Sequence, residues 1–479
     1  METSNRNIVL VIAGVLIATM LVVVSCSSES EQAQPAAPPA QESQVAPVPQ
    51  VIVQAGQLQP APAGAQLTGW DNELSQKLGV TLLATYDSSG EPAWDPKEHP
   101  LVFITTVGPG YGGLLSGVEL PGFAIIDANT HEVVAYRAFD LDWEDVFEPH
   151  GLGVSPDGQW IYLPTGEGRA KGRFLIINAR TLKLDKVLAT RGRPHHVKSF
   201  INSQGRGLAL LYGWGQPPFV LDPQDDNRVV GGADFNDMGI EGYLYFVDPK
   251  GEEMWASGRW RLSSARQHLH DNVVIVVDTT TWELKDYIPI QDSTPIWVDF
   301  TADGKYAYIS GGHSSIVVKY DREAEQTVAT ARAGVHGPYG IRLSWDEKVV
   351  YTVGKGEGSH NRGKDLGMVD TELMHKRGRP VNQFITNCVR GDHATIHPDP
   401  EKNELWLSCN SSFEIVVFDM GNNEVKARIP MPSGGSTHSG AFVKYNPDFT
   451  GEVLSDQNGL HGSAFQKKVE LLQALAQKQ

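Results

Sequence analysis

Residues 148–164 read EPHGLGVSPDGQWIYLP: an apolar stretch from Gly151 to Val154, a turn at Ser155-Pro156-Asp157-Gly158, and an alternating stretch from Trp160 to Leu163. Pro, Asp and Gly between two short apolar runs are the chemistry of a tight antiparallel connection. The pattern returns at Thr294–Asp303 (TPIWVDFTAD, then GKYAYISG). Looser copies start at Arg193 (RPHHVKSF), Gly337 (GPYGIRLSWDEKVVYTVG), Gly391 (GDHATIHPDPEKNELWLS) and Ser436 (STHSGAFVKYNP). A third stretch often follows and closes on Asp or Asn, as in FAIIDANT, FLIINART, VVIVVDTT, IVVKYDRE and EIVVFDMG. A fourth comes after a polar turn, as in HEVVAYRAF, LKLDKVLAT and NEVKARIPM.

Aligned on one position, the copies start at His150, His195, Ile296, Tyr339, His393 and His438, at intervals of 45, 101, 43, 54 and 45 residues. The long interval holds one degenerate unit starting near Gly242, which makes seven. Four short strands per unit of roughly 40–50 residues is the signature of a β-propeller. The first hairpin, from Leu101 to Asp140, lacks an inner strand, and His438–Tyr445 supplies it. A C-terminal strand that closes the ring also removes exposed sheet edges. The expected fold is therefore all-β, a seven-bladed β-propeller over residues 70–460, with a helical tail at 461–479 (HGSAFQKKVELLQALAQKQ).

The segments GVSPDGQWIYLP and VVIVVDTTTWEL resemble the YVTN type of propeller repeat, over about residues 100–445. That resemblance speaks for fold and leaves function open.

The N-terminus reads as an address. An apolar run from Ile8 to Val24 follows Arg6 and leads into Val23-Val24-Ser25-Cys26, which resembles a bacterial lipoprotein signal with Cys26 as the lipidated residue. The run is shorter than the ~20 residues of a comfortable span, so residues 1–26 are a lipoprotein signal or, alternatively, an uncleaved anchor. Residues 27–69, rich in Pro, Ala, Gln and Ser, read as a disordered linker. The body is thus expected outside the cytoplasm, tethered to a membrane, in the periplasm or at the cell surface.

A net charge of −17 argues against nucleic acid as a partner, because such proteins carry a basic footprint. Three cysteines without a CxxC pair exclude zinc-ribbon, thioredoxin-like and c-type haem readings. Cys388 and Cys409 flank the inner strand of the seventh unit and the strand after it. They form a disulfide, or Cys409 is a thiolate ligand, or both are buried thiols.

The inner strand of each blade starts at the central channel. His438, His150, His195 and His393 then fall on blades one, two, three and seven, which are consecutive around the ring. Four imidazoles would converge on one sector, with Ile296 and Tyr339 opposite. Imidazole is a ligand for copper, zinc and iron, and a channel end is a natural small-ligand pocket. His196 and His336 lie beside this ring as secondary candidates. Alternation along an extended strand would bring only one of His195 and His196 to the site. Tyr339 is a candidate to face a small substrate across the channel. A repeat can also copy a structural histidine that bonds its neighbouring blade, and the remaining histidines read as structural. The run Asp140, Asp142, Glu144, Asp145 and Glu148 reads as a solvated loop able to offer oxygen ligands.

The segments EPHG, RPHH, VHGPYG, GDHA and STHS resemble the nitrous-oxide-reductase family, whose seven-bladed propeller holds a copper cluster on inner-strand histidines. They are more distantly similar to propellers that bind haem d1. The resemblance implies copper, less so haem d1, and oxidoreductase chemistry on a small molecule. The tail after Asn458 departs from the family by lacking a second copper domain with paired cysteines. The alternative is a non-catalytic propeller whose loops bind a protein, a peptide or an envelope ligand.

Overall fold

The computed structural model describes residues 51–54 and 70–478, apart from 97–99, 108–121, 141–148, 165–171, 236–239, 261–272, 291–293, 357–362, 375–380 and 433–434. Seven sheets form the blades, antiparallel except for one added edge strand. Their inner strands are Ser436–Tyr445, Gly153–Val154, Arg193–Ile201, Ile240–Val247, Pro295–Phe300, Pro338–Leu343 and Gly391–Ile396, for blades one to seven. Blade one joins the chain's two ends: its inner strand comes from the C-terminal region and pairs with Leu101–Val107. The degenerate fourth unit takes its expected place at Ile240–Val247.

The repeated residues earn their places in the turns. In Ser155-Pro156-Asp157-Gly158, the Ser155 hydroxyl donates to Asp157 Oδ1 at 2.5 Å and accepts the Trp160 N–H at 2.9 Å. Gly158 follows at φ +74°, a conformation that glycine adopts without steric cost. Thr301 with Asp303 and Ser344 with Asp346 repeat the hydroxyl–carboxylate bond at 2.6 and 2.7 Å. The acid or amide that closes each third strand is an Asx turn. Asp127, Asn178, Asp278, Asp321, Asp370 and Asp419 each accept the N–H groups two and three residues on.

Packing follows position in the blade. The inner strands Pro295–Phe300, Pro338–Leu343 and Gly391–Ile396 are buried throughout, since adjacent blades cover both faces. The outermost strands Leu284–Pro289 and Glu424–Pro430 expose most of their residues. Trp255, Trp297 and Phe246 are among the side chains buried between blades four and five. Full burial of side chains this size contributes about 1.5–3 kcal/mol or more each.

Two segments go beyond the repeat reading. Val51–Gln54 (VIVQ), inside the stretch read as linker, lies parallel on Val133–Asp140 at the outer edge of blade one. Three β-branched residues in an otherwise Pro/Ala/Gln-rich stretch account for that strand. Val80–Thr85 likewise adds a fifth strand to blade two.

After closing the ring, the chain turns back into the channel. Gly451–Asp456 pairs with the inner strand of blade one, and Gly459–Leu460 pairs with it in turn. Asp456 Oδ2 accepts the Ser199 N–H of blade three at 2.8 Å. Asn458 exchanges two hydrogen bonds with the Val247 backbone of blade four, at 2.8 and 3.1 Å. Arg342 of blade six donates to the Gln457 carbonyl at 2.9 Å. The tail then forms the helix expected there, Gly462–Ala476, docked by Lys468 on Glu347 at 3.0 Å. Among the described residues no helix is long and apolar enough to cross a membrane.

Candidate metal centre at the channel end

A β-bulge recurs at the start of the inner strands and decides which side chains reach the centre. In blade seven, Gly391 pairs with Cys409 and Ala394 with Leu407, so Asp392 and His393 together face one residue, Ser408. In blade one His438 and Ser439 share Thr105 in the same way. In blade three the register shifts between Pro194 and His196, which leaves His195 as the extra residue. A bulge breaks the two-residue alternation and re-aims side chains. Both His195 and His196 therefore enter the cluster, against the expectation that only one would.

The four equivalent histidines and His196 pack ring to ring. His150 lies 3.9 Å from His195, 3.6 Å from His438, 4.6 Å from His196 and 5.5 Å from His393, centroid to centroid. All five are buried. Asp392 ties them together. Its Oδ2 lies 2.7 Å from His438 Nδ1, 3.1 Å from His393 Nδ1 and 3.6 Å from His150 Nε2, and its Oδ1 meets Lys355 Nζ at 2.8 Å. Asn410 donates to the Thr437 carbonyl at 2.8 Å and sits 3.1 Å from His438 Nδ1. Gly151 must be small, because a Cβ there would fall 2.1 Å from His196 Nδ1.

Two sets of three donors each converge with their ligand atoms within 4.8 Å of one another: His150, His196 and His393, and His150, Asp392 and His438. His195 stacks on His150 outside both sets. Among the described residues neither ring nitrogen of His196 has a hydrogen-bond partner, and neither does His393 Nε2.

Electrostatics keep His150, His196 and His393 neutral. Burial first, then His195, His438 and His196, hold His150 well below its ordinary range, against the pull of Asp392. Burial with His195, His393 and Lys198 does the same to His196. Burial pushes His393 down to about 4 although Asp392 opposes it. For Asp392 burial alone would raise the carboxyl, but His393, Lys355 and the hydrogen bonds from His393 and His438 outweigh it and hold it well below the carboxylate range. The result is a carboxylate beside three neutral imidazoles, those of His150, His196 and His393, the protonation state in which nitrogen donors bind a cation.

Two sequence candidates sit elsewhere than expected. His336 is exposed, and its carbonyl accepts the Gly356 N–H at 3.2 Å. It precedes the strand start at Pro338 and so never turns inward. Tyr339 is not across the channel: its ring lies 5.4 Å from His393, because blade six adjoins blade seven. Its hydroxyl meets that of Tyr243 at 3.2 Å, and Lys355 Nζ stands 3.6 Å over its ring.

Cys388 and Cys409 are bridged, with Cα atoms 5.0 Å apart, which leaves no thiolate at Cys409. Cys26 and residues 141–148 of the acidic run lie outside the described residues. His131, His313 and His461 pair with Glu404, Thr294 and Asp456, as structural histidines should.

Sequence reasoning missed Asp392, Lys355 and Asn410. Asp392 stands beside His393 in GDHA, and the bulge hides its role. Lys355 and Asn410 follow the second strands of blades six and seven by one residue. A separate pocket of about 310 Å³ opens at the far ends of the inner strands, around Phe200, Val247, Phe300, His461 and Phe465, and none of the five clustered histidines lines it.

No family model matches the chain, and neither does any curated protein. Solved structures do. One is the dihydro-heme d1 dehydrogenase NirN in complex with DHE, 14% identical, TM-score 0.50, covering 84% of this chain and 83% of that one. Another is a putative 6-phosphogluconolactonase from Bacteroides uniformis, 16% identical, TM-score 0.51, covering 72% of this chain and 100% of that one. The corresponding putative enzyme from Bacteroides fragilis is 14% identical, with TM-score 0.51 over 72% of this chain and 98% of that one. The chain is a seven-bladed β-propeller. At such identities the likeness extends to the propeller fold alone, and the chemistry of this propeller has to be argued from its own channel.

Proposed function

We propose that this propeller is an exported, membrane-tethered metalloprotein that holds a transition metal, copper favoured, on His150, His196 and His393 and acts as an oxidoreductase on a small molecule. The observation that carries the reading is the set of fully buried imidazole nitrogens on His196 and His393 that have no hydrogen-bond partner among the described residues. Burying a polar atom without a partner costs about 1–3 kcal/mol, and a bound cation removes that cost. Among divalent first-row ions an all-nitrogen donor set binds copper most tightly. A bound copper would supply one-electron chemistry. Asp392 would orient His438 and His393 and hold Lys355 beside them.

Haem d1 fits less well. The imidazoles are buried and packed against one another, His150 against its neighbours at 3.6–5.5 Å, a spacing that suits a single ion better than a macrocycle. Cys26 as a lipidated residue accounts for the tether, and nucleic acid has no place as a partner of so acidic a chain.

A second reading, a non-catalytic propeller that binds a protein or envelope ligand through its loops, draws on one observation. Asp392 already joins His438, His393 and Lys355 into an internally bonded polar network. Metal analysis of protein secreted under metal-replete conditions separates the two. The proposal expects about one equivalent of metal or more per chain, strongly reduced in His196→Ala and His393→Ala. Less than a tenth of an equivalent in the wild type contradicts it.

A further inference from the structure

The turn at 456–458 enters the channel beside the histidines. Gln457 is fully buried. Its Nε2 makes only a long 3.5 Å contact with the Val197 carbonyl, and its Oε1 has no hydrogen-bond partner among the described residues. His196 is equally buried and equally unbonded at both nitrogens among those residues. The two side chains meet over one glycine. A Cβ on Gly151 would lie 2.1 Å from His196 Nδ1 and 3.0 Å from Gln457 Nε2, so these two nitrogens are within about 5 Å of each other.

A neutral imidazole has one donor nitrogen and one acceptor nitrogen, and only the acceptor can bind a cation. Ligating histidines therefore carry a partner that fixes the other N–H, commonly a carboxylate or carbonyl oxygen. Asp392 stands in that relation to His438 and His393, with its Oδ2 at 2.7 and 3.1 Å from their Nδ1 atoms. No carboxylate among the described residues bonds His196. Half a turn of the Gln457 terminal amide exchanges its oxygen and nitrogen with little other movement; it gives up the long contact with the Val197 carbonyl and places a carbonyl oxygen on the side of His196 Nδ1. The backbone that carries it is held on both sides, by Arg342 on the Gln457 carbonyl at 2.9 Å and by Asn458 on Val247 at 2.8 Å.

We propose that Gln457 is a positioning residue of the metal centre: its carbonyl oxygen accepts the Nδ1–H of His196 and leaves Nε2 as the nitrogen offered to the ion. The C-terminal turn is then part of the site as well as a filler of the channel. This inference rests on the metal reading above.

The test titrates the full chain with Co(II) against a competing chelator, following the d–d absorption and, separately, the melting temperature. Gln457→Leu keeps the bulk and removes the acceptor, and it is expected to weaken Co(II) binding about 10–100-fold at a melting temperature within a few degrees of wild type. Gln457→Glu keeps an acceptor oxygen and is expected to stay near wild-type affinity. If Gln457→Leu does not fold, Gln457→Met replaces it in the same comparison. Wild-type affinity in Gln457→Leu overturns the inference, and so does an equal loss in Gln457→Leu and Gln457→Glu, which would mark a packing role. A wild-type chain that binds no Co(II) overturns the metal reading, and this inference with it.

Discussion

Asp392 on blade seven and His438 on blade one share a 2.7 Å hydrogen bond across the boundary between blades, with neither side chain exposed. One carboxylate oxygen pair thus bonds the ring-closing strand, its own neighbour His393 and Lys355.

Asp392→Asn keeps the shape and removes the charge that Lys355 and the histidines meet. Breaking a buried ion pair from one side costs about 3–5 kcal/mol, and a loss of that size is expected in chemical denaturation of the apo protein. A variant within about 1 kcal/mol of wild type would show that Asp392 is not the tie the geometry makes it.

The Cys388–Cys409 bridge anchors both sides of the same corner, since Asp392 follows Cys388 by four residues and Asn410 follows Cys409 directly. With the partners 21 positions apart in sequence, loop entropy alone gives about 3 kcal/mol. Denatured, unreduced mature protein should show no free thiol from this pair, and reduction should lower stability by about that amount. Two free thiols would exclude the bridge.

His397 predicts a pH effect distinct from the cluster. It is buried, its Nδ1 accepts the Asp399 N–H at 3.1 Å, and burial pushes it from 6.5 down to about 4. Between those values the unfolded chain takes up a proton that the folded chain refuses. Stability is therefore fully present above about pH 6.5, falls as pH drops toward 4, and this contribution falls no further below that. The span corresponds to about 3 kcal/mol at most. In urea denaturation at pH 7 and pH 4, His397→Gln should lose less stability than wild type by up to that difference. Parallel losses would remove His397 as a cause.

Cys26→Ala tests the tether. If Cys26 is lipidated, the variant should be released from membranes or remain unprocessed, and wild type should take up labelled lipid. A variant bound at unchanged size, with no lipid label on wild type, would point to an uncleaved anchor.

The ring was legible because its turns are chemical: a hydroxyl with an acid two residues on, and an Asp or Asn closing the third strand, recur at blade spacing. Four histidines were legible through their shared repeat position. The bulges were not, because they form over Asp-His, His-His, Ile-Trp and Tyr-Gly pairs with no common residue type. Strict alternation therefore separated His195 from His196 and passed over Asp392. His336 failed for the opposite reason, since it lies before the strand that would have turned it inward. Gln457 lies past the last repeat, and only the return of the chain into the channel gives it neighbours.

Anomalous diffraction at the copper edge, on crystals of copper-loaded protein, locates the bound ion. The proposed centre requires a peak among the imidazoles of His150, His196 and His393, about 2.0–2.1 Å from their ligating nitrogens, as for other imidazole–metal bonds. Copper-loaded crystals with no peak there, or with one only at surface histidines such as His336, would contradict it.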